Sequence, residues 1–352
     1  MRVVVAMSGG VDSAVAAARL KDEGHDVVGV TLHLWDYPED GSAKEHGRCC
    51  APEDQYDARR TADVLGFPHF TFDRRELFAR TVVDPFVEAY LAGSTPSPCT
   101  TCNRGVKLTE LFTLADRLGA SHVATGHYAR IGRDAATGVP FLREGADRNK
   151  DQSYFLYATP RDQLERLVFP LGDSTKPEVR AEAVARKIPG ANKGESQELC
   201  FVGAGAGAYA AFVETRAKGR LRPGPIVDAD GRVVGTHQGV HRFTVGQRKG
   251  LGVALGQRTF VAELEPETAT VRLGRNEELT SKSARIADVV LAPDVSLPID
   301  SARVRVRYRH EGAMARIDGE GIAFEEPVRA VSRGQIAVFY AGDRVLGGGR
   351  IC

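Results

Sequence analysis

The sequence predicts an α/β protein: an N-terminal doubly wound parallel sheet, then a small central domain, then a C-terminal β-barrel-like domain. Three observations carry this. Short β-branched runs alternate with helix-period segments over the first half. The glycine-rich string Ser8-Gly-Gly-Val-Asp-Ser13 sits at the first strand-to-helix crossing. Beyond Gly203 the helical rhythm gives way to short alternating segments between Gly and Pro turns. A chain of 352 residues is too long for one ordinary core. The expected divisions are 1–203, 204–278 and 279–352.

Taken in order, Val3-Val-Val-Ala6 reads as a buried strand and Asp12 to Leu20 as the first helix. Val27-Val-Gly-Val-Thr31 repeats the strand signal, and Ala58 to Leu65, stopped by Gly66, repeats the helix signal. Leu108, Leu111, Phe112, Ala115 and Leu118 recur at helical spacing with Gly119 as the stop, and His122-Val-Ala-Thr125 follows as a strand. Gly203-Ala-Gly-Ala-Gly207 and Pro223-Gly-Pro225 mark the change of grammar. From about 279 to the end the chain reads as strands with Gly and Pro turns.

Composition is that of an ordinary globular chain, so disorder is not expected. No apolar run is long enough to span a bilayer, and the N-terminus runs straight into a strand, so a cytoplasmic protein with no membrane partner is expected. Six cysteines are too few for a disulfide framework in a chain of this size. The net charge of +1 hides a polarity: residues 1–203 carry 25 Lys and Arg against 29 Asp and Glu, whereas the remainder carries 22 against 17. A polyanionic partner would find its basic surface in the second half.

Ser8 to Ser13 joins glycines, which let backbone N–H groups approach a phosphate, to serine hydroxyls and a helix N-terminus with its positive pole. It is neither a Walker loop nor the Gly-x-Gly-x-x-Gly of dinucleotide folds. Pro98-Cys-Thr-Thr-Cys-Asn103 precedes the Leu108 helix, which would place the Cys102 thiol before a helix N-terminus with Arg104 and Lys107 close in sequence, a setting for a nucleophilic thiolate. Cys200 ends a polar stretch, Glu195-Ser-Gln-Glu-Leu, and alone reads as a buried hydrophobe. Ala302 to His310 alternates, so a strand there would line Arg303, Arg305, Arg307 and Arg309 along one face as a phosphate comb, or as a merely solvated basic face. Thr244-Val-Gly-Gln-Arg-Lys-Gly250 adds a second basic turn, and Lys150 to Tyr154 joins charge to aromatic rings.

The strings Ser8–Ser13, Cys49-Cys50 through Asp54 and Asp57, Thr95-Pro-Ser-Pro98, Cys102-Asn103, Ala124-Thr-Gly-His-Tyr128, Lys150-Asp-Gln-Ser-Tyr154, Cys200-Phe201, Phe243 to Leu251, Arg307-Tyr-Arg309 and Gly334-Gln335 together resemble, in order and spacing, the bacterial tRNA-specific 2-thiouridylases, which lie within the PP-loop ATP pyrophosphatase superfamily. The resemblance covers essentially the whole chain. It implies that ATP, with Mg2+, adenylates the C2 oxygen of a wobble uridine in tRNAs of the Lys, Glu and Gln type, releasing pyrophosphate. Sulfur from a Cys200 persulfide then displaces AMP, and Cys102 is the partner nucleophile that ends in a disulfide with Cys200. The same resemblance places ATP at Ala6, Met7, Ser8, Gly9, Gly10, Val11, Asp12, Ser13, Leu32 and Gly126, with Asp12 also among the catalytic residues. It places tRNA at Ser97, Pro98, Cys99, His127, Lys150, Asp151, Gln152, Arg307, Tyr308 and Gln335. The sulfur donor it implies is a cysteine desulfurase or a relay protein.

The chain departs from the pattern in two places. Cys99 stands where many members have Asp, and Glu195-Ser-Gln-Glu-Leu stands where others often have Asp-Ser-Thr-Gly-Ile. Cys99, Cys102 and Cys200 could thus ligate a [4Fe-4S] cluster, and counting cysteines does not separate that from dithiol chemistry. Cys49, Cys50 and Cys352 receive no role. Two rivals share parts of the pattern: an ATP pyrophosphatase acting on a small molecule, and a non-catalytic RNA-binding protein whose Ser-Gly-Gly is only a turn.

Overall fold

The computed structural model describes residues 1–36, 52–191, 193–194, 199–203, 205 and 207–352. Cys49, Cys50 and the Glu195–Glu198 stretch lie outside the described residues. The chain divides into two units: Met1–Val82 with Cys99–Ala204 and Asp343–Val345, and Val83–Pro98 with Gly205–Gly342 and Leu346–Cys352.

The first unit is built on a five-stranded parallel sheet in the order His69–Asp73, Asp26–His33, Arg2–Ala6, His122–Ala124, Leu167–Val168. The β-branched run Val3–Val5 is fully buried because both faces of a doubly wound sheet are covered. The helix Val11–Asp22 is rich in alanine, which lets it approach neighbours on two sides. Val15 and Ala18 pack with Val179 and Ala183 of the helix Lys176–Ala185, while Ala17 and Leu20 pack with Val3, Val5 and Val27 of the sheet. The strand order reverses between Arg2–Ala6 and His122–Ala124. At such a switch point the loops leaving the two carboxyl ends diverge and open a crevice, and here those loops are 7–10 and 125–128.

Each element expected in this half is present, with longer bounds in two cases of interest. The helix expected from Ala58 begins at Pro52 and runs to Leu65, its first turn carrying Glu53 and Asp54, which favour a helix N-terminus. The helix expected from Leu108 has a longer helical prelude: Pro98–Cys102 is already helical, Asn103–Lys107 forms a π-helical turn, and Leu108–Arg117 continues it. Cys102 therefore lies inside a helical run and not ahead of one. The positive pole belongs one turn earlier, at Pro98 and Cys99, and not at Cys102 as expected. Proline at the first helical position explains the early start; the intrinsically weak Cys-Thr-Thr-Cys hid it.

In the second unit a four-stranded sheet runs Phe260–Glu265, Thr270–Gly274, Gly224–Val227, Val233–His237. It closes over Ile226, Val240, Phe243, Leu251, Val261, Val271 and Leu273. The helices Asp84–Leu91 and Ala208–Arg216 accompany it, with Phe86 against Phe212 and Tyr90 against Tyr209. The remaining strands, from Thr280–Ala284 to Arg344–Ile351, are antiparallel and enclose a core that includes Val304, Ile317, Phe324 and Phe339.

The expected strand through Arg309 ends early: Ile299–Arg305 is extended, and residues 306–309 turn. Arg305 is only 7% exposed, and its guanidinium lies 5.7 Å from the centre of the Tyr340 ring and donates to the Tyr308 carbonyl. Arg303 stacks 4.6 Å over the same ring and donates to the carbonyls of Glu311 and Gly342. The comb of four parallel guanidiniums does not form, because aromatic faces and backbone carbonyls of the barrel take up two of them.

Candidate active site

At the switch point the glycines are required by geometry. Gly9 has φ +74°, and a Cβ there would stand 2.1 Å from the Asp54 carbonyl oxygen. A Cβ on Gly126 would come within 2.7 Å of the Ser13 amide nitrogen and 2.8 Å of the Asp12 carbonyl carbon. The 125–128 loop is thus moulded onto the first turn of the helix Val11–Asp22. Gly10 at the N-cap brings no side chain to cap that helix. The Ser13 hydroxyl closes the loop instead: it donates to the Gly10 carbonyl at 3.0 Å, accepts from the Ser8 amide at 3.1 Å and lies 3.3 Å from the Ser8 hydroxyl. First-turn N–H groups with no side-chain cap, on a loop held this tightly, suit an anionic ligand. Behind it, Met7 is 3% exposed, its amide bonded to Val30 and its carbonyl to the Thr31 hydroxyl, while Leu32 is 8% exposed at the carboxyl end of the next strand.

Two lysines that sequence reasoning did not single out complete the charge pattern. Lys176 Nζ donates to both Asp12 carboxylate oxygens at 2.6 and 2.8 Å, and the Tyr128 hydroxyl donates to Oδ1 at 2.9 Å. Lys193 bridges Asp54 Oδ1, at 2.9 Å, and Asp57. Burial works against its charge, but those two carboxylates outweigh it and hold Lys193 above its ordinary value. The available signal for Lys176 was local: Thr175-Lys-Pro-Glu178 is a helix-start motif, and Glu178 accepts from the Thr175 amide at 2.7 Å. Nothing in the sequence joins that helix start to a loop 164 residues earlier. Lys176 thus places a cation beside the Ser8–Ser13 loop. Lys176→Met is expected to slow ATP consumption about 100-fold with tRNA affinity unchanged, as read by pyrophosphate release and filter binding.

Cys102 and Cys200 both belong to the first unit. Cys102 is 5% exposed, and the following Asn103 donates from its amide to the Phe155 carbonyl at 3.3 Å. Cys99 is exposed at the start of the same helical run. Cys200 is half-buried and precedes Phe201, whose ring packs edge-on against Phe78 at 5.6 Å and Trp35 at 6.1 Å. These aromatic contacts anchor the backbone next to Cys200. Phe201→Ala is expected to lower sulfur incorporation per AMP released, whereas AMP release itself should hold within about twofold; the ratio of the two products checks it. Among the described residues no three His, Cys, Asp or Glu side chains converge as a metal-ligand group. Cys99, Cys102 and Cys200 therefore do not fit a [4Fe-4S] cluster as arranged, and no step is derived through one.

The residues expected to touch tRNA fall into three kinds. Asp151 is 3% exposed and accepts from the Gly145 and Ser153 amides and the Ser153 hydroxyl, all at 3.0 Å, so it shapes its turn from inside. Gln152 is bonded both ways to the Tyr128 backbone, at 3.0 and 2.8 Å, which ties it to the residue after His127. Lys150 lies half-buried just ahead. In the second unit, Arg307 donates to the Arg329 carbonyl at 3.1 Å, Tyr308 is half-buried, and the Gln335 amide donates to the Thr95 carbonyl at 2.8 Å, two residues before Ser97.

His127 is held neutral to about pH 3 by burial, with the Lys107 charge acting in the same direction, and its Nδ1 lies 2.8 Å from the Thr125 hydroxyl. Its imidazole is therefore a neutral hydrogen-bonding group. Because the unfolded imidazole protonates first, near its ordinary 6.5, His127 favours folding above that value and loses the contribution as pH falls toward 3. His127→Gln is expected to narrow the drop in urea midpoint between about pH 7.5 and pH 5; an unchanged drop would exclude His127 as a source of acid lability.

The chain is similar over its length to proteins named tRNA-specific 2-thiouridylase MnmA. It is 63% identical to that of Sorangium cellulosum over 99% of this chain and 92% of the relative. Against those of Solibacter usitatus and Moorella thermoacetica the identities are 46% and 45%, each covering 99% of this chain and 98% of the relative. Residues 1–204 match the family described as tRNA methyl transferase HUP domain, residues 210–275 its PRC-barrel domain, and residues 293–351 the aminomethyltransferase beta-barrel domain.

Proposed function

The chain belongs to the tRNA-specific 2-thiouridylase family, and from that premise we propose that it converts the wobble uridine of Lys-, Glu- and Gln-type tRNAs to 2-thiouridine. It is a tRNA-uridine 2-sulfurtransferase that uses ATP. The observation that carries the chemistry is the seating of Gly126 on the Ser8–Ser13 loop, in the same unit as Cys102 and Cys200. A phosphate loop of this kind serves no step of methyl transfer, the activity in the family descriptions.

The carbonyl oxygen at C2 is a poor leaving group and has to be converted to an ester of AMP. The uridine oxygen attacks the α-phosphorus of ATP, the α–β bridge breaks, and pyrophosphate departs. The Ser8–Ser13 amides, the hydroxyls and Lys176 hold the developing negative charge. Mg2+ would be held by one or two carboxylates together with the substrate phosphates; Asp12, 34% exposed on the side chain, suits that task once Lys176 lets go. Bound there, the ion would neutralise phosphate charge.

The terminal sulfur of a Cys200 persulfide then forms a bond to C2. Cys102, as thiolate, attacks the Cys200 Sγ and breaks the S–S bond to the delivered sulfur; AMP leaves C2 with the original oxygen. Two thiols are oxidised to a Cys102–Cys200 disulfide as the sulfane sulfur is reduced to the thione. A dithiol reductant resets the pair, and a cysteine desulfurase or a relay protein reloads Cys200. The target base has to leave its stack to reach both sulfurs. Residues 1–203 carry this catalysis, 204–278 and 279–352 hold the tRNA, and the reaction takes place in the cytoplasm. Among the described residues no helix is long and apolar enough to cross a membrane.

The test is reconstitution with ATP, Mg2+, a persulfide source and a tRNA transcript with a wobble uridine, followed by nucleoside mass spectrometry. 2-Thiouridine should appear, and a transcript with cytidine at that position should give none. AMP release with a small-molecule acceptor and unaltered tRNA would favour the small-molecule pyrophosphatase.

A further inference from the structure

We propose that a cleft in the second unit, between the helix Ala208–Arg216 and the 244–250 turn, binds the phosphodiester backbone of the RNA substrate through Arg248 and Lys249. The proposal rests on the reading that tRNA is the substrate and names a face that makes contact away from the reacting base.

The cleft measures about 870 Å³ and includes Tyr209, Glu214, Arg242, Gln247, Arg248 and Lys249 in its walls. The turn is rigid for its length. The Gln247 side chain accepts from the Thr244 amide and donates to the Lys249 carbonyl, both at 3.0 Å, spanning the turn from inside. Backbone bonds of 2.8 and 2.9 Å clip Gly246 and Gln247 to Val261, and Gly246 and Gly250 adopt positive φ of 89° and 73°. A braced turn presents its side chains with little ordering left to lose on binding.

The charges in the cleft are unequal. Glu214 is its one carboxylate, and Arg242, at 2.5 and 2.7 Å, and His241, at 3.0 Å, already hold it. Arg248 and Lys249 are exposed, and neither side chain has an ion pair or hydrogen bond among the described residues. The net local charge is positive, in the half of the chain that carries the basic excess. Two adjacent cations standing outward at a turn match a backbone that runs past them, whereas a free nucleotide's terminal phosphate calls for an enclosing ring of N–H groups.

The experiment measures affinity of the full-length enzyme for an unmodified tRNA transcript across a NaCl series. For Arg248→Gln/Lys249→Gln, the slope of log K against log salt should become shallower by about 1.5, with about tenfold weaker binding at low salt. kcat at saturating tRNA should stay within about twofold. Arg248→Lys/Lys249→Arg should restore the slope, and Lys282→Gln, exposed elsewhere in the unit, should leave it unchanged. A wild-type slope in the double variant would overturn the proposal, as would an equal loss in Lys282→Gln. Because a transcript with cytidine at the wobble position should bind this face alike, the result is readable even if no 2-thiouridine forms.

Discussion

Cys200→Ala is expected to abolish 2-thiouridine formation, to below about one part in 10³ of wild type, while tRNA affinity stays within about twofold. Alanine removes the sulfur proposed to carry the persulfide. Phe201 keeps its contacts with Phe78 and Trp35, so the local fold is retained. Adenylation precedes sulfur delivery, so pyrophosphate release in a single turnover should persist. Mass spectrometry of digested tRNA and a single-turnover pyrophosphate assay check both halves. A variant that still thiolates would remove Cys200 from the persulfide role.

Gly126→Ala is expected to have the second-largest effect, at the opposite end of the reaction. The added methyl would lie 2.7 Å from the Ser13 nitrogen and 2.8 Å from the Asp12 carbonyl carbon, both backbone atoms of the phosphate loop. Backbone cannot rotate away as a flexible side chain can, so the 125–128 loop and the helix start have to part. A displacement of about 1 Å in a site of this kind costs about 100-fold in rate. The loss should fall on adenylation: pyrophosphate and 2-thiouridine decline together, whereas persulfide loading of Cys200 stays unchanged. Loss of thiouridine alone, with full-rate pyrophosphate release, would contradict the assignment of Gly126 to the ATP site.

What was legible in the sequence was what is local. The Ser8–Ser13 loop declared itself because a tight turn at a strand-to-helix crossing has few chemical solutions, and Gly9 at φ +74° is one of them. The parallel strands and the stops at Gly66 and Gly119 were legible for the same reason. Long-range features were not. Lys176 meets Asp12 only because two helices pack side by side. Arg305 alternates like a surface arginine, yet it is buried near Tyr340, a residue 35 positions later in the chain. Asp151 reads as a charged loop residue until its turn closes over it. Pattern assigns a face to a residue, and tertiary contacts decide whether that face is water, RNA or protein.

The claim beneath all of this is that the C2 oxygen leaves as part of AMP. A tRNA carrying 18O at O2 of the wobble uridine, incubated with ATP, Mg2+ and a persulfide source, tests it in one turnover. The mechanism predicts one 18O in the phosphate of AMP for each 2-thiouridine formed. Label found in water or in pyrophosphate, with unlabelled AMP, would contradict it.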